Sequence, residues 1–211
     1  MDFLLRPWEE SDAESLAKYA NDPRVPFNLT DAFPNPYSIS DAYAFIKRCR
    51  EKDPEEFHRA IVIDGEAAGC VSIIPQKDIY RKNAEIGYWL AVPFWGHGIM
   101  TRAAGQICRE AFARYDLARI YARVNTRNPA SRRVLEKNNF ILECVMRNSV
   151  YKYGKLLDSW LFALLRDECI NNRDILETVS IMNHPRTAEE ILDAMKEDWK
   201  TGEIYQPEEK W

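Results

Sequence analysis

Hydrophobic residues recur along this chain at two spacings, which predict alternating strands and helices. Between residues 99 and 115 the apolar positions repeat every three to four residues, the period of a helix packed on one side. Between residues 119 and 124 apolar and polar residues alternate, which is typical of a half-buried strand. Applied from the first residues to about residue 165, the two patterns predict the order β-α-α-β-β-β-α-β-α-β-β. This order favours an α+β sandwich around a mixed sheet.

Capping and turn residues set the boundaries of several predicted elements. Ser11 and Ser40 are predicted to be the N-caps of the first two helices, and Asn128 of a later helix with proline at its first position. The Asp64–Gly65 pair predicts a hairpin turn. Residues Arg24–Tyr37 are rich in proline and aromatic residues, and they predict a long irregular loop of functional or mobile character.

The last part of the chain is predicted to be a separate acidic, helical C-terminal extension, residues 167–211, after a domain of residues 1–166. It carries 12 acidic and 5 basic residues, so residues 1–166 are net positive by 3 although the whole chain has a net charge of −4. Four apolar residues at helical spacing predict an amphipathic helix: Ile191, Leu192, Met195 and Trp199. This helix needs a partner surface, either its own domain or a second copy in a homodimer.

Composition narrows the class of protein. The chain is 46% hydrophobic and 29% charged, has no apolar run long enough for a membrane span, and starts without a signal-peptide pattern. Its five cysteines are widely spaced and it has only three histidines, which favours a reduced, cytoplasmic setting without a metal site. The charge of residues 1–166 is too weak to indicate nucleic-acid binding.

The most informative segment joins a strand, a glycine-bearing turn and a helix. The strand at residues 83–91 leads into a turn with Gly96 and Gly98, and the helical pattern begins at Ile99. This arrangement directs unpaired backbone N–H groups and the positive end of a helix dipole towards an anion. We therefore expect a phosphate-bearing ligand here. Glu85, upstream on the same strand, suggests that the ligand takes part in chemistry.

Two blocks resemble the GNAT acyl-CoA-dependent N-acetyltransferases, and within them the RimJ/RimL type that acetylates protein N-termini. They are Glu85–Ala103, with the Trp95-Gly96-His97-Gly98-Ile99-Met100-Thr101 turn, and Asn125–Phe140, with the Asn128-Pro129-Ala130-Ser131 start of a helix. The resemblance covers residues 4–166. It implies a mostly antiparallel sheet of about six to seven strands flanked by helices, acetyl-CoA as the acyl donor, and no metal.

The resemblance also implies roles for individual residues. Glu85 is expected to be the general base, acting through water, although a solvated charge or an ion pair with an arginine is the alternative. Ser131 is expected to protonate the departing thiolate or to bind the cofactor, and Tyr153 is a second candidate for the acid. The full set of expected cofactor-binding residues is Leu90, Ala91, Val92, Trp95, Gly96, His97, Gly98, Ile99, Met100, Thr101, Asn125, Asn128 and Ser131.

The acceptor is expected to be a primary amine, and a peptide or protein α-amine is favoured. At pH 7 an α-amine of pKa about 7.7–8.0 loses its proton at a cost of about 1–1.4 kcal/mol, against about 4.6 kcal/mol for a lysine-type amine. A small amine such as a polyamine or aminoglycoside, and a catalytically degenerate acetyl-CoA-binding module, remain alternatives. The loop Arg24–Tyr37 is predicted to form one wall of the acceptor site.

Overall fold

A computed structural model describes residues 1–52 and 56–170. One seven-stranded sheet has the order β1-β2-β3-β4-β5-β7-β6, and all neighbouring strands are antiparallel except the parallel pair β4–β5. The strands are β1 Leu4–Arg6, β2 Phe57–Ile63, β3 Glu66–Pro75, β4 Asn83–Leu90, β5 Arg119–Asn125, β6 Ile141–Lys152 and β7 Lys155–Leu165. The helices are α1 Ala13–Ala20, α2 Ile39–Lys52, α3 Ile99–Arg114, α4 Pro129–Glu136 and α5 Arg166–Ile170. The predicted class and the predicted order as far as β7 are confirmed.

Each face of the sheet is covered by helices that bury an apolar stripe. On one face, Ala103 and Ile107 of α3 belong to the same buried cluster as Ile86 of β4 and Phe162 of β7. On the other face, α1 and α2 bury a second cluster that contains Leu16 and Ile46. Side chains alternate between faces along a strand. Ala84, Ile86, Tyr88 and Leu90 therefore point towards α3, and Glu85, Gly87 and Trp89 point towards α1 and α2.

The sheet opens between its two parallel strands. β4 pairs with β5 only from Asn83 opposite Arg119 to Glu85 opposite Tyr121. Beyond Glu85, β4 stays paired with β3 and β5 stays paired with β7, so the two strands diverge. The backbone edge of Ile86–Leu90 that would face β5 thus borders a gap in the sheet.

Two predicted N-caps are wrong, because a neighbouring residue supplies the capping bonds. Asp12 accepts the Glu9 N–H at 2.9 Å and pairs with Arg6 at 2.7 Å, so a 3-10 turn occupies residues 10–12 and α1 begins at Ala13 instead of after Ser11. At α2, Ser38 Oγ accepts the Asp41 N–H at 3.2 Å and Asp41 accepts the Ser38 N–H at 2.8 Å. This reciprocal capping box starts the helix at Ile39 and leaves Ser40 inside it.

Other turn predictions are confirmed. Asp64 and Gly65 both have positive φ, 49° and 84°, as the hairpin turn requires. Asn128 caps α4 by accepting the Ser131 N–H at 3.1 Å. Asn139 ends that helical segment at φ 62°. β6 runs to Lys152, and Tyr153 and Gly154 form the tip of the turn that joins it to β7.

Helix α5 begins the predicted extension. The Arg166 guanidinium donates to the carbonyls of Phe112, Tyr115 and Leu117 at 2.6–2.8 Å, which ties the end of β7 to α3 and the segment after it. The predicted amphipathic helix lies outside the described residues, and the division at residue 166 and the homodimer stay predictions. None of the helices in the described part combines the length and apolarity needed to cross a bilayer.

Candidate active site

The glycine turn presents backbone donors to open space. Gly96 and Gly98 have φ of 82° and 69°, and a Cβ added at either residue would meet no atom within 4 Å. The first hydrogen bond of α3 runs from the Arg102 N–H to the Gly98 carbonyl at 3.1 Å. The N–H groups of the residues between them, 99–101, therefore have no partner within the helix. Together with the helix dipole, these donors form a cradle for an anion such as a diphosphate.

Most side chains of the glycine turn pack against the protein or form hydrogen bonds within it. Ile99 is buried and the partly buried Met100 packs against the core, so both residues offer a ligand mainly their backbone N–H groups. The Trp95 indole N–H donates to the Leu90 carbonyl at 2.7 Å and braces the turn against the end of β4. His97 is exposed. The groups that this turn offers to an anion are thus mainly its main-chain N–H groups, whose positions the backbone conformation fixes.

The backbone groups expected to meet the pantetheine arm are partly in use. The Ala91 N–H donates to Ala68 at 2.8 Å, and the carbonyls of Ala91 and Val92 accept from Phe94 and Trp95 at 3.0 and 3.1 Å. A carbonyl has two lone pairs, so each of them keeps one acceptor site. The edge of β4 from Ile86 to Leu90, which β5 does not pair, offers a longer surface for the same kind of bonding, except at the Leu90 carbonyl that accepts from Trp95.

Glu85 lies at the last paired position before the gap, on the face towards α1 and α2. Its carboxylate forms a two-bond ion pair with Arg123 of β5, at 2.9 and 2.8 Å, and the Tyr121 hydroxyl lies 3.5 Å away. The hydrogen bond to Glu85 raises the pKa of Arg123. Burial, and secondarily the charge of Glu85, raises the pKa of Tyr121. Glu85 therefore forms the ion pair with an arginine that the sequence analysis gave as an alternative.

A pair of hydroxyl groups lies on the opposite face of the gap. Ser131 Oγ and Tyr88 Oη are 2.7 Å apart, and the Tyr88 hydroxyl also lies 3.3 Å from the Ser131 carbonyl. Burial raises the pKa of Tyr88 well above its ordinary value, so the phenol stays protonated. Sequence reasoning missed Tyr88. The alternation of side chains along β4 places Tyr88 on the sheet face opposite to that of Glu85, but only the tertiary structure brings α4 next to it.

The two asparagines of the second block shape the loop between β5 and α4. The Asn125 side chain accepts the Arg127 N–H at 2.9 Å, and its carbonyl accepts the Asn128 N–H at 2.8 Å. With Asn128 capping α4, these bonds hold Ser131 at the gap. Both asparagines thus hold the β5–α4 loop and the start of α4 in place.

Aromatic residues of the loop after α1 cover the face that carries Glu85. Phe33 packs against Trp89 of β4 with ring centres 5.8 Å apart, and against Tyr37 at 4.9 Å. The cis Asn35–Pro36 bond lies in the same segment. Trp89 shares its strand face with Glu85, so the loop covers part of the face that carries the carboxylate. Its role as a wall of the acceptor site stays a prediction.

The tip of the β6–β7 hairpin closes onto this loop. The buried Lys152 ammonium donates to the Leu29 carbonyl and pairs with Asp31 at 3.1 Å, and Tyr153 stacks on Phe27 with ring centres 5.7 Å apart. Tyr153 therefore lies in an exposed turn against the loop, and it is 62% exposed. We call this contact of Phe27, Leu29, Asp31, Lys152 and Tyr153 the clasp. No local sequence pattern indicates this contact.

A parallel strand pair that opens beside a glycine turn and a helix N-terminus defines an acetyltransferase of the GNAT class. Residues 2–141 match the family described as an acetyltransferase (GNAT) domain, and the chain belongs to that family. It is an acetyl-CoA-dependent N-acetyltransferase.

Individual relatives agree with this assignment. The chain is 30% identical over 168 residues to the putative ribosomal N-acetyltransferase YdaF of Bacillus subtilis (strain 168), covering 78% of this chain and 91% of the relative. It is 25% identical over 155 residues to the spermidine N(1)-acetyltransferase of Escherichia coli (strain K12), covering 72% and 79%. A solved structure of RimL, a ribosomal L7/L12 α-N-protein acetyltransferase in complex with coenzyme A, is 25% identical, with a TM-score of 0.68 and coverage of 78% and 94%.

Proposed function

We propose that this enzyme acetylates the α-amine of a peptide or protein N-terminus, with Glu85 as general base through water and the Ser131–Tyr88 pair as the proton donor. The carrying observation is the gap between β4 and β5, which has a carboxylate on one face and a hydroxyl pair on the other. Acyl transfer to an amine needs one group that accepts a proton and another that donates one.

The residues present fit acetyl-CoA, which supplies the acetyl thioester. The N–H groups of Gly98, Ile99, Met100 and Thr101 would hold the diphosphate, because the space over the glycines is open and these donors lie at the start of α3. The free edge of β4 would hold the pantetheine arm by strand-like hydrogen bonds. Asn125 at the end of β5, and Asn128 and Ser131 at the start of α4, would border the same arm.

The chain's own groups would then move the protons. Glu85 accepts a proton from the acceptor ammonium by way of water, which leaves a neutral nitrogen to attack the thioester carbonyl. As the new C–N bond forms and the C–S bond breaks, the nitrogen gives up a second proton to water and the Ser131–Tyr88 pair donates one to the departing sulfur. Acetylated amine, free thiol and one released proton balance the reaction, and solvent reprotonates the hydroxyl pair.

The cost of deprotonation supports an α-amine as acceptor. At pH 7 an α-amine loses its proton for about 1–1.4 kcal/mol, against about 4.6 kcal/mol for a lysine-type amine. A single carboxylate that acts through water therefore suits the α-amine better. The names of YdaF and RimL agree with a protein acceptor.

A small polyamine is the second candidate, favoured by the similarity to the spermidine acetyltransferase. A polycation needs unpaired carboxylates. In the described part of the chain, Glu85 is paired with Arg123 and Asp31 of the clasp with Lys152. This charge pattern favours the peptide.

An acceptor panel tests the proposal. Thiol release from acetyl-CoA is measured with peptides that have free N-termini, the same peptides with blocked N-termini and an internal lysine, and spermidine. We expect turnover with the free α-amine above the other two. Faster turnover with spermidine would establish the second candidate. Calorimetric binding of acetyl-CoA without turnover on any amine would establish the degenerate module.

The base is tested by Glu85→Gln, with Glu143→Gln as its matched control. Glu143 also pairs with an arginine, Arg119 of β5, so its variant breaks an equivalent ion pair. We expect Glu85→Gln to lower turnover by about 10²-fold with acetyl-CoA affinity unchanged, because general base catalysis contributes about 10²–10⁴-fold. Equal turnover in the two variants would remove Glu85 from the mechanism.

A further inference from the structure

The Arg123–Glu85 ion pair occupies the group that is proposed to accept the proton. The Arg123 guanidinium donates to Oε1 and Oε2 of the Glu85 carboxylate at 2.9 and 2.8 Å, and the Tyr121 hydroxyl lies 3.5 Å from Oε2. Both carboxylate oxygens of Glu85 thus already accept hydrogen bonds, which hold the side chain in position and leave fewer of its lone pairs for a water or an amine.

Arg123 is the outer partner of this pair. Its side chain is 58% exposed, whereas that of Glu85 is 24% exposed. It stands on β5 just past the point where β4 and β5 part, on the face covered by the aromatic loop. An acceptor that approaches Glu85 from this face meets the guanidinium first.

Few carboxylates in the described part of the chain could replace Glu85 as the partner of Arg123. On this side of the sheet, within the described residues, Glu143 is paired with Arg119 and Asp31 with Lys152. A carboxylate brought by the acceptor would therefore be the competing partner. In an extended peptide neighbouring residues are about 3.3–3.6 Å apart along the chain, so an acidic second residue lies within one residue of the α-amine.

We propose that Arg123 is a specificity-determining residue that selects acceptors with an acidic residue directly after the acetylated one. The acceptor carboxylate takes one or both guanidinium bonds from Glu85 and releases a Glu85 oxygen for the proton transfer. A cationic second residue is repelled by the same guanidinium. This inference rests on the proposed peptide-acetylating function and names the sequence that the site prefers.

The test uses three peptides that start Ser-Glu, Ser-Gln and Ser-Lys and are otherwise identical. For the unaltered enzyme we expect kcat/KM to fall in that order, by up to about fivefold at the first step, the upper size expected for a partly exposed ion pair. Arg123→Gln should bring the three peptides within about twofold of each other, a span set by the weakness of exposed charge interactions. Arg123→Lys should restore part of the preference, because it keeps the charge without the planar fork.

Arg119→Gln is the matched control. Arg119 lies four residues earlier on the same face of β5 and also pairs with a glutamate, so its variant removes a comparable ion pair further from the gap. It should keep the unaltered order of the three peptides. A loss of preference equal to that of Arg123→Gln would assign the effect to general charge and overturn the inference.

Failure of the inference differs from failure of the proposed function. Equal kcat/KM for the three peptides in the unaltered enzyme overturns the selection by Arg123 while peptide acetylation stands, and this result does not depend on any variant folding. A preference that survives in Arg123→Gln overturns it as well. Absence of acetylation on all three peptides, with acetyl-CoA still bound, refutes the proposed function itself.

Discussion

Replacing Gly98 by alanine puts a Cβ on a residue with φ of 69°, at the start of α3. No atom lies within 4 Å of the added carbon, so the folded protein bears only the backbone cost of a left-handed L-residue, about 1–2 kcal/mol. The effect on acetyl-CoA is separate. If the coenzyme diphosphate binds these amide N–H groups, the added methyl group displaces it and weakens one hydrogen bond to a charged group. The expected loss of binding free energy is about 1.5–3 kcal/mol, or roughly 10- to 150-fold in Kd.

Gly65 provides the matched control for this change. It has φ of 84° and also has no atom within 4 Å of an added Cβ, but it lies in the β2–β3 hairpin. Urea unfolding should show a similar loss of stability for Gly65→Ala and Gly98→Ala. Calorimetry should show weakened coenzyme A binding only for Gly98→Ala. Equal Kd values for the two variants would refute the assignment of the turn to the diphosphate.

Three further predictions concern the hydroxyl pair, the clasp and a buried thiol. Ser131→Ala and Tyr88→Phe should each lower turnover, and the double variant should be no slower than the slower single one, since the two hydroxyls act as one unit at 2.7 Å; additive losses would contradict this. Lys152→Met should raise the KM for peptide acceptors by loosening the loop, whereas the exposed Lys155→Met should not; equal KM values would contradict a role of the clasp in acceptor binding. Burial raises the pKa of Cys70 to about 12, so its contribution to stability is complete below the unfolded pKa of about 8.5 and is lost as the pH rises towards 12. Urea titrations at pH 8–11 should show a falling free energy of unfolding, and Cys70→Ala should remove part of this fall. An unchanged fall in Cys70→Ala would contradict the prediction.

Much of the fold follows from local patterns. The apolar period of α3, the alternation along β5 and the Asn128–Pro129 start of α4 are each decided by residues close in sequence, and all three are confirmed. Helix starts near Ser11 and Ser40 were placed wrongly, because several adjacent polar residues can cap a helix. The bonds of Asp12 with Arg6 and of Ser38 with Asp41 decide between them.

The cradle at the glycine turn is likewise a local feature. Positive φ at Gly96 and Gly98 and the free amides of the first turn of α3 depend on residues 95–102 alone. The sequence could therefore indicate an anion site and the donor class. It also placed Glu85 on the strand that leads there.

The partners of the catalytic candidates were decided only by the tertiary structure. Glu85 meets Arg123, 38 residues later, because β4 and β5 pair in parallel and then part; Tyr88 meets Ser131, 43 residues later, because α4 packs at the gap; and Lys152 meets the loop after α1 across more than 120 residues. Local sequence determines backbone conformation, since its energy comes from neighbouring residues. Contacts between distant residues depend on strand register and on helix packing against one shared core, and no segment of the chain contains that information by itself.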